Sequence, residues 1–275
     1  MLSEFLALAH RRLACDIVHV MVTFPPASHG PALMMLRLAF ALLLVCAFLV
    51  SGDASAQAAD SNLARAQRIL RSTPLIDGHN DLAWRIREDK KAPRDVEAYE
   101  LRQTMPGHTD LARMKEGMMG AKFWSVYVPG GIKDSGYARV QLEEIDIARR
   151  FIAKYPARLA FATRSADIRY DFARGKVASF LGMEGGHAIE NSLGALRAYY
   201  DLGVRYMTLT HNVTLDWADA ALDTATHGRL TPFGSAVVRE LNRPGMPVGV
   251  AHGSPAPMRR ALDWGAGPCA LYPPG

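Results

Sequence analysis

The chain has 275 residues, 49% hydrophobic and 21% charged, a composition typical of a soluble globular protein and unlike that of disordered or fibrous chains. Its net charge of +5 is mild and its basic residues are scattered, which argues against nucleic acid as a partner. Of the three cysteines (Cys15, Cys46 and Cys269), the first two lie in a region that we expect to be removed, so no internal disulfide is expected.

The N-terminal region has the layout of a secretory signal peptide over residues 34–56. A short basic start precedes the apolar run Leu38–Val50, and Ala54-Ser-Ala56 fits a small-residue cleavage site. The alternative is a membrane anchor, but 13 residues are few for crossing a bilayer. Residues 1–33 fit poorly before such a signal, and we interpret them as a spurious upstream extension. We therefore expect an exported protein, periplasmic or secreted, with no membrane span after cleavage.

The remaining chain, residues 57–275, alternates predicted helices with apolar strands. Helical spacing or capping predicts helices over Ser61–Arg71, Thr109–Gly117, Tyr137–Lys154, Ser165–Gly175, Ser192–Leu202 and Ser235–Asn242. Apolar runs predict strands over Leu75–Asp77, Gly120–Val128, Ala160–Ala162, Val177–Met183, Tyr206–Thr210 and Met246–Ala251. This alternation predicts one α/β domain built on a parallel sheet.

Four of these strands are followed by residues able to bind a metal. His79 and Asp81 follow the first strand, Glu184 ends the run after Val177, and His211 and His252 follow the last two runs. In (β/α) barrels the active site is built at the carboxyl ends of several strands. Imidazole and carboxylate without thiolate suit zinc or a similar divalent metal. We predict that these five side chains form a catalytic metal site.

Each residue also has a simpler interpretation. His79 and Asp81 could belong to a strand-end turn, Glu184 to a surface turn, and His211 or His252 to a cap or the core. Two further segments stay open. His187 could either orient Glu184 or touch a substrate, and Trp217-Ala-Asp219 could either line a pocket or pack its loop down.

Several motifs, in order, resemble those of the membrane dipeptidase family of zinc metallopeptidases. The resemblance covers about Leu75 to Trp264 and is found in the motifs LIDGHNDL, KFWSVYV, MEGGH and YMTLTHN. It implies a (β/α)8 TIM-type barrel that holds two zinc ions and hydrolyses dipeptides through a metal-bridging hydroxide.

The resemblance also assigns roles to the five side chains. His79 and Asp81 would bind the first ion, Glu184 would bridge both ions and take part in catalysis, and His252 would bind the second ion. His211 would contact the substrate near the scissile carbonyl and act in catalysis. The expected partner is a dipeptide, and a homodimer stays open.

The sequence departs from the family near its C-terminal end. No histidine follows His252, where the family has a further ligand of the second ion, and the family's substrate-binding arginine and late aspartate are missing as well. Composition shifts at Gly265, and Pro247 and Gly249 are unusual inside a central strand. We therefore expect a barrel that is incomplete at its C-terminal end, with an incomplete second zinc site and impaired activity. The alternatives are a non-catalytic barrel remnant or binding protein, and an amidohydrolase acting on another amide.

Overall fold

The computed structural model describes residues 61–132, 136–264 and 269–270. The predicted upstream extension (1–33) and signal peptide (34–56) lie outside the described residues. Contacts within the chain separate residues up to Arg65 from a unit that begins at Ala66. All features of the sheet and the site below belong to that second unit.

The elements follow one another in nearly strict β/α alternation. The helices are α1 (residues 61–72), α2 (Leu82–Arg87), α3 (Leu111–Glu116), α4 (Tyr137–Lys154), α5 (Ser165–Ala173), α6 (Leu193–Asp201), α7 (Pro232–Asn242) and α8 (Pro255–Trp264). The strands are β1 (Leu75–Asp77), β2 (Met119–Tyr127), β3 (Leu159–Phe161), β4 (Val177–Glu184), β5 (Val204–Thr208), β6 (Val248–Gly249) and β7 (Cys269–Ala270). None of the described helices is long and apolar enough to span a membrane.

The described strands form one parallel sheet in the order β1-β2-β4-β5-β6-β7, with β3 also paired to β4. β2 pairs with β4 from Ala178 to Glu184, so β3 and β5 share the other edge of β4 in succession. Within the described residues, β1 and β7 each pair with one strand, and the sheet is an open half-barrel. The predicted α/β fold of TIM-barrel kind is confirmed.

The burial of β4 matches its inner position in the sheet. All eight of its residues are buried, as expected for a parallel strand covered on both faces. On one side α4 packs its apolar stripe against β2, where Trp124 meets Phe151 edge to face with ring centroids 4.9 Å apart. This packing fixes the strand ends that carry the site.

Helix starts follow local capping chemistry. The carboxylate of Asp110 accepts a hydrogen bond from the backbone N–H of Arg113 at the start of α3, and Ser192 caps α6 in the same way. α7 begins three residues before the predicted start, because Thr231 caps it and Pro232 is suited to the first helical turn.

Strand ends differ from the predicted ones in two ways. β4 includes Glu184 as its last residue, whereas β5 ends at Thr208, three residues before His211. β6 is only Val248–Gly249, much shorter than the predicted run, since Pro247 has no backbone N–H to donate to the ladder. His211 and His252 therefore lie on loops that lead away from their strands.

Candidate functional site

The first group of possible ligands lies where β1 and β4 end. His79 Nε2 is 3.1 Å from Asp81 Oδ1 and 3.5 Å from Glu184 Oε2. Because β1 and β4 are parallel strands of one sheet, their carboxyl ends bring residues 105 positions apart in sequence to the same edge (184 − 79). One ligand atom from each of the three residues lies within 4.8 Å of the others.

The second group shares Glu184 with the first. His252 Nε2 is 3.1 Å from Glu184 Oε1, and His211 Nε2 is 3.9 Å from the same oxygen. The rings of His211 and His252 are 4.3 Å apart between centroids. The structure thus brings together all five side chains predicted to form the site.

The backbone around His79 is held by its neighbours. Asp77 accepts a hydrogen bond from the backbone N–H of His79 (3.1 Å) and forms a 3.0 Å ion pair with the buried ammonium of Lys122. The ring of His79 is held too, since its Nδ1 lies 3.1 Å from the hydroxyl of Tyr206 on β5.

His252 adopts a left-handed backbone conformation, with φ of 61°. Such a conformation is uncommon for a residue other than glycine and persists where surrounding contacts enforce it. Here the carbonyl of His252 accepts a hydrogen bond from the N–H of Ala221 (2.7 Å), and Ser254 N–H donates to the carbonyl of Asp219 (3.0 Å). The loop after β5 therefore holds the segment that contains His252.

That loop is folded around the carboxylate of Asp219. Fully buried, this carboxylate accepts hydrogen bonds from the backbone N–H groups of Thr226, His227 and Gly228. Burial opposes ionisation, but these hydrogen bonds hold the pKa of Asp219 below its usual value. The loop thus has a charged centre that fixes its conformation.

The two segments left open by the sequence now have defined places. His187 is buried, and its Nε2 donates to the carbonyl of Val128 at 2.7 Å. This nitrogen therefore makes a structural hydrogen bond. Trp217 is also buried and packs against Phe233, with ring centroids 6.1 Å apart. Both residues pack the loops that surround the site.

Electrostatics at the site reflect five ionisable groups in a partly buried space. Burial opposes charge on His79, but its hydrogen bond to Asp81 and the nearby carboxylates raise its pKa. Burial likewise opposes ionisation of Asp81, yet His79 holds the pKa of this carboxyl below its usual value. Burial raises the pKa of Glu184, against the opposing effect of His79.

His211 differs from the other site residues. Burial, reinforced by His252 and His187, lowers the pKa of His211 to about 4. Its ring is therefore neutral at neutral pH. Tyr127 packs against it at 4.8 Å between centroids, and Trp84 packs against Tyr127 in turn. An aromatic wall thus lies next to His211.

The donor set fits divalent metal ions. Two zinc ligands on opposite sides of one ion are at most about 4.4 Å apart, because each bond is about 2.0–2.2 Å long. The distances from Glu184 to His79, His211 and His252 all lie below that limit. The chemistry of the donors, imidazole and carboxylate, is that of catalytic zinc sites.

The sequence does not reveal how two residues support the site. Tyr206 contacts His79, and Asp219 organises the loop after β5. Tyr206 lies inside an apolar run, where an aromatic side chain normally indicates core. No local signal distinguishes it, since its partner His79 is 127 positions away.

Comparison with known proteins agrees with this geometry. The profile described as "Membrane dipeptidase (Peptidase family M19)" matches residues 63–271. The chain belongs to the membrane dipeptidase family.

Solved structures show the same fold. A dipeptidase described as a metallopeptidase of family M19 has 24% identity and a TM-score of 0.62, covering 70% of this chain and 60% of its own. A metallopeptidase from Rhodobacter sphaeroides, solved with a phosphinate mimic of the dipeptide L-Ala-D-Ala, has 23% identity and a TM-score of 0.62 (72% and 63% covered). The probable dipeptidase PvdM from Pseudomonas aeruginosa has 18% identity and a TM-score of 0.63 (76% and 54%). The chain thus spans between 54% and 63% of the length of these three relatives.

Proposed function

We propose that this protein is a zinc-dependent hydrolase of dipeptides. The observation that supports this most directly is the position of Glu184. Its Oε2 faces His79 and its Oε1 faces His252, so that one carboxylate joins two groups of ligands. Family membership supports the same reaction, as does the related metallopeptidase that binds a dipeptide mimic.

In this proposal His79, Asp81 and Glu184 would hold the first zinc ion, and Glu184 and His252 the second. Zinc bound there would supply Lewis-acid chemistry, lowering the pKa of water and polarising the scissile carbonyl. The protein's part is to keep Glu184 between the two groups, and the imidazoles would bind in their neutral form because zinc would take the place of the proton.

His211 would contact the substrate at the scissile carbonyl. Because its ring is neutral, an N–H of His211 can donate to the carbonyl oxygen as negative charge develops there, without itself adding a full charge to the site. The wall formed by Tyr127 and Trp84 would line one side of the substrate.

We further propose that the chain as it stands binds its second zinc more weakly than its first and turns over slowly. The first group has three residues assigned as ligands, whereas the second has two, Glu184 and His252, because His211 is assigned to the substrate. Weak occupancy of one site would reduce the rate in proportion.

The experiment is hydrolysis of a dipeptide panel, including D-residues at the C-terminal position, by zinc-loaded protein and by the variant His211→Gln. We expect zinc-dependent release of amino acids by the parent chain and a rate about 100-fold lower in the variant, with unchanged zinc content. The matched control, Asn212→Gln, changes an exposed neighbour and should keep the parent rate.

Other outcomes would replace the proposal. Hydrolysis of cyclic amides but not dipeptides would indicate another amidohydrolase. Zinc binding without hydrolysis of either class would indicate a binding protein. Loss of zinc in His211→Gln would show that His211 is a metal ligand instead of a substrate contact.

We also propose that the enzyme is exported after cleavage of the signal peptide. N-terminal sequencing of protein from the cell envelope should begin near Gln57, and a mature chain starting at Met1 would contradict this. Native mass measurement on the same material distinguishes a monomer from the homodimer that the sequence leaves open.

A further inference from the structure

We infer that Tyr206 is a positioning residue that fixes which nitrogen of His79 faces the metal. This inference rests on the metal centre proposed above. Tyr206 contacts His79 through its hydroxyl, and we infer that it acts on the metal site through this ligand.

The contact joins the Tyr206 hydroxyl to His79 Nδ1 at 3.1 Å. Tyr206 is fully buried on β5, between β4 and β6, whereas His79 lies in the loop after β1. A hydroxyl on a rigid central strand thus reaches a ligand on a loop. Such an outer partner can set the ring orientation that the loop alone leaves free.

The Tyr206 ring has little room to move. A Cβ atom at Gly182 on β4 would overlap the ring and its hydroxyl, so the absence of a side chain there creates the space that Tyr206 fills. Phe123 on β2 packs against the same ring, with centroids 5.2 Å apart. The position of the hydroxyl is therefore determined by the packing of three neighbouring strands.

The orientation of the His79 ring suits metal binding. His79 Nε2 faces Asp81 and Glu184, at 3.1 and 3.5 Å, so this nitrogen is the one that meets a cation. A neutral imidazole can offer a lone pair at Nε2 only when its N–H is at Nδ1. There the Tyr206 oxygen can accept the N–H of this metal-binding tautomer, and a ring flipped by 180° would lose the hydrogen bond because a carbon would replace Nδ1.

The variant Tyr206→Phe tests this role because it keeps the ring in the Gly182 space and removes only the hydroxyl. The matched control is Tyr155→Phe, which also deletes a buried tyrosine hydroxyl, one that bonds the backbone of Leu101 and Tyr99. Both changes remove hydrogen bonds from the interior. Only the first removes one from His79.

Zinc affinity is measured by competition with a chromophoric chelator, and thermal melting of the metal-free chains is recorded alongside. All chains carry His252→Ala, so that the group His79, Asp81 and Glu184 is the complete one. We expect Tyr206→Phe to bind zinc about 10-fold or more weakly than the parent, and Tyr155→Phe to bind as the parent does. Both metal-free variants should melt slightly below the parent.

Equal zinc affinity of Tyr206→Phe and parent would overturn the inference and leave the proposed function intact. Equal weakening in both variants would overturn it too, since general loosening would then explain the loss. If the chain that carries only His252→Ala takes up no zinc, the proposed first zinc site itself is refuted. Gly182→Ala, which displaces the ring, should weaken zinc binding as well, and unchanged binding would contradict the inference.

Discussion

Glu144 on α4 shows, at the scale of a single residue, how burial changes the pKa of a carboxyl group. The side chain is fully buried, and neither carboxyl oxygen has a hydrogen-bond partner among the described residues. Burial raises its pKa from 4.5 to about 8, although Arg87 opposes the shift. The folded protein therefore holds a proton on Glu144 at pH values where the unfolded chain has lost it.

This difference predicts that stability falls as pH rises. Between 4.5 and about 8 the folded state binds more protons than the unfolded state, so the free energy of unfolding decreases with pH. The decrease is at most about 1.4 kcal/mol per pH unit. Glu144→Gln removes this titration, so we expect the variant to gain stability over the parent by a few kcal/mol from about pH 5 to about pH 8.

Urea unfolding at several pH values measures the effect. The matched control is Glu116→Gln, which changes an exposed carboxylate at the end of α3. Its stability curve should run parallel to that of the parent. A Glu144→Gln curve that also runs parallel would show that Glu144 is ionised in the folded protein.

At the scale of elements, the loop after β5 connects one strand end to the next. Asp219 accepts hydrogen bonds from three consecutive backbone N–H groups, and the same loop bonds the backbone of His252. An asparagine in its place would present an amide N–H₂ to donors where a carboxylate oxygen now accepts. We expect Asp219→Asn to lower the free energy of unfolding by about 1–3 kcal/mol and to weaken zinc binding that depends on His252.

Chemical denaturation and zinc titration check this prediction together. The control is Asp216→Asn in the same loop, where the carboxylate is exposed and bonds only the side chain of Asn191 in the contacts described here. It should leave both quantities unchanged within a few tenths of a kcal/mol. Unchanged zinc binding in Asp219→Asn would show that His252 is held without the loop.

Much of the fold and of the site could be predicted at this scale. Buried apolar runs such as Val177–Met183 indicate parallel strands, and the ligands then follow from the meeting of strand ends. Tyr206 and the loop around Asp219 could not be predicted, because their roles depend on contacts between distant positions. The short β6 was partly foreseeable, since Pro247 disrupts the ladder, but its end before His252 depends on a left-handed turn.

At the scale of the whole molecule, the proposed ligands lie at one edge of an open sheet. They come from the ends of β1, β4, β5 and β6, all of which are present in the described half-barrel. Closure of the sheet is therefore unnecessary for bringing the five side chains together. Metal binding should depend on the shared carboxylate of Glu184 more than on any other single group.

Zinc content at saturation, measured by mass spectrometry on the purified full chain, tests this claim most directly. We predict about two equivalents in the parent, about one in Asp81→Asn and close to none in Glu184→Gln, because only Glu184 belongs to both groups. The control Glu116→Gln should bind as the parent does. A Glu184→Gln variant that keeps the zinc of the parent would contradict the account.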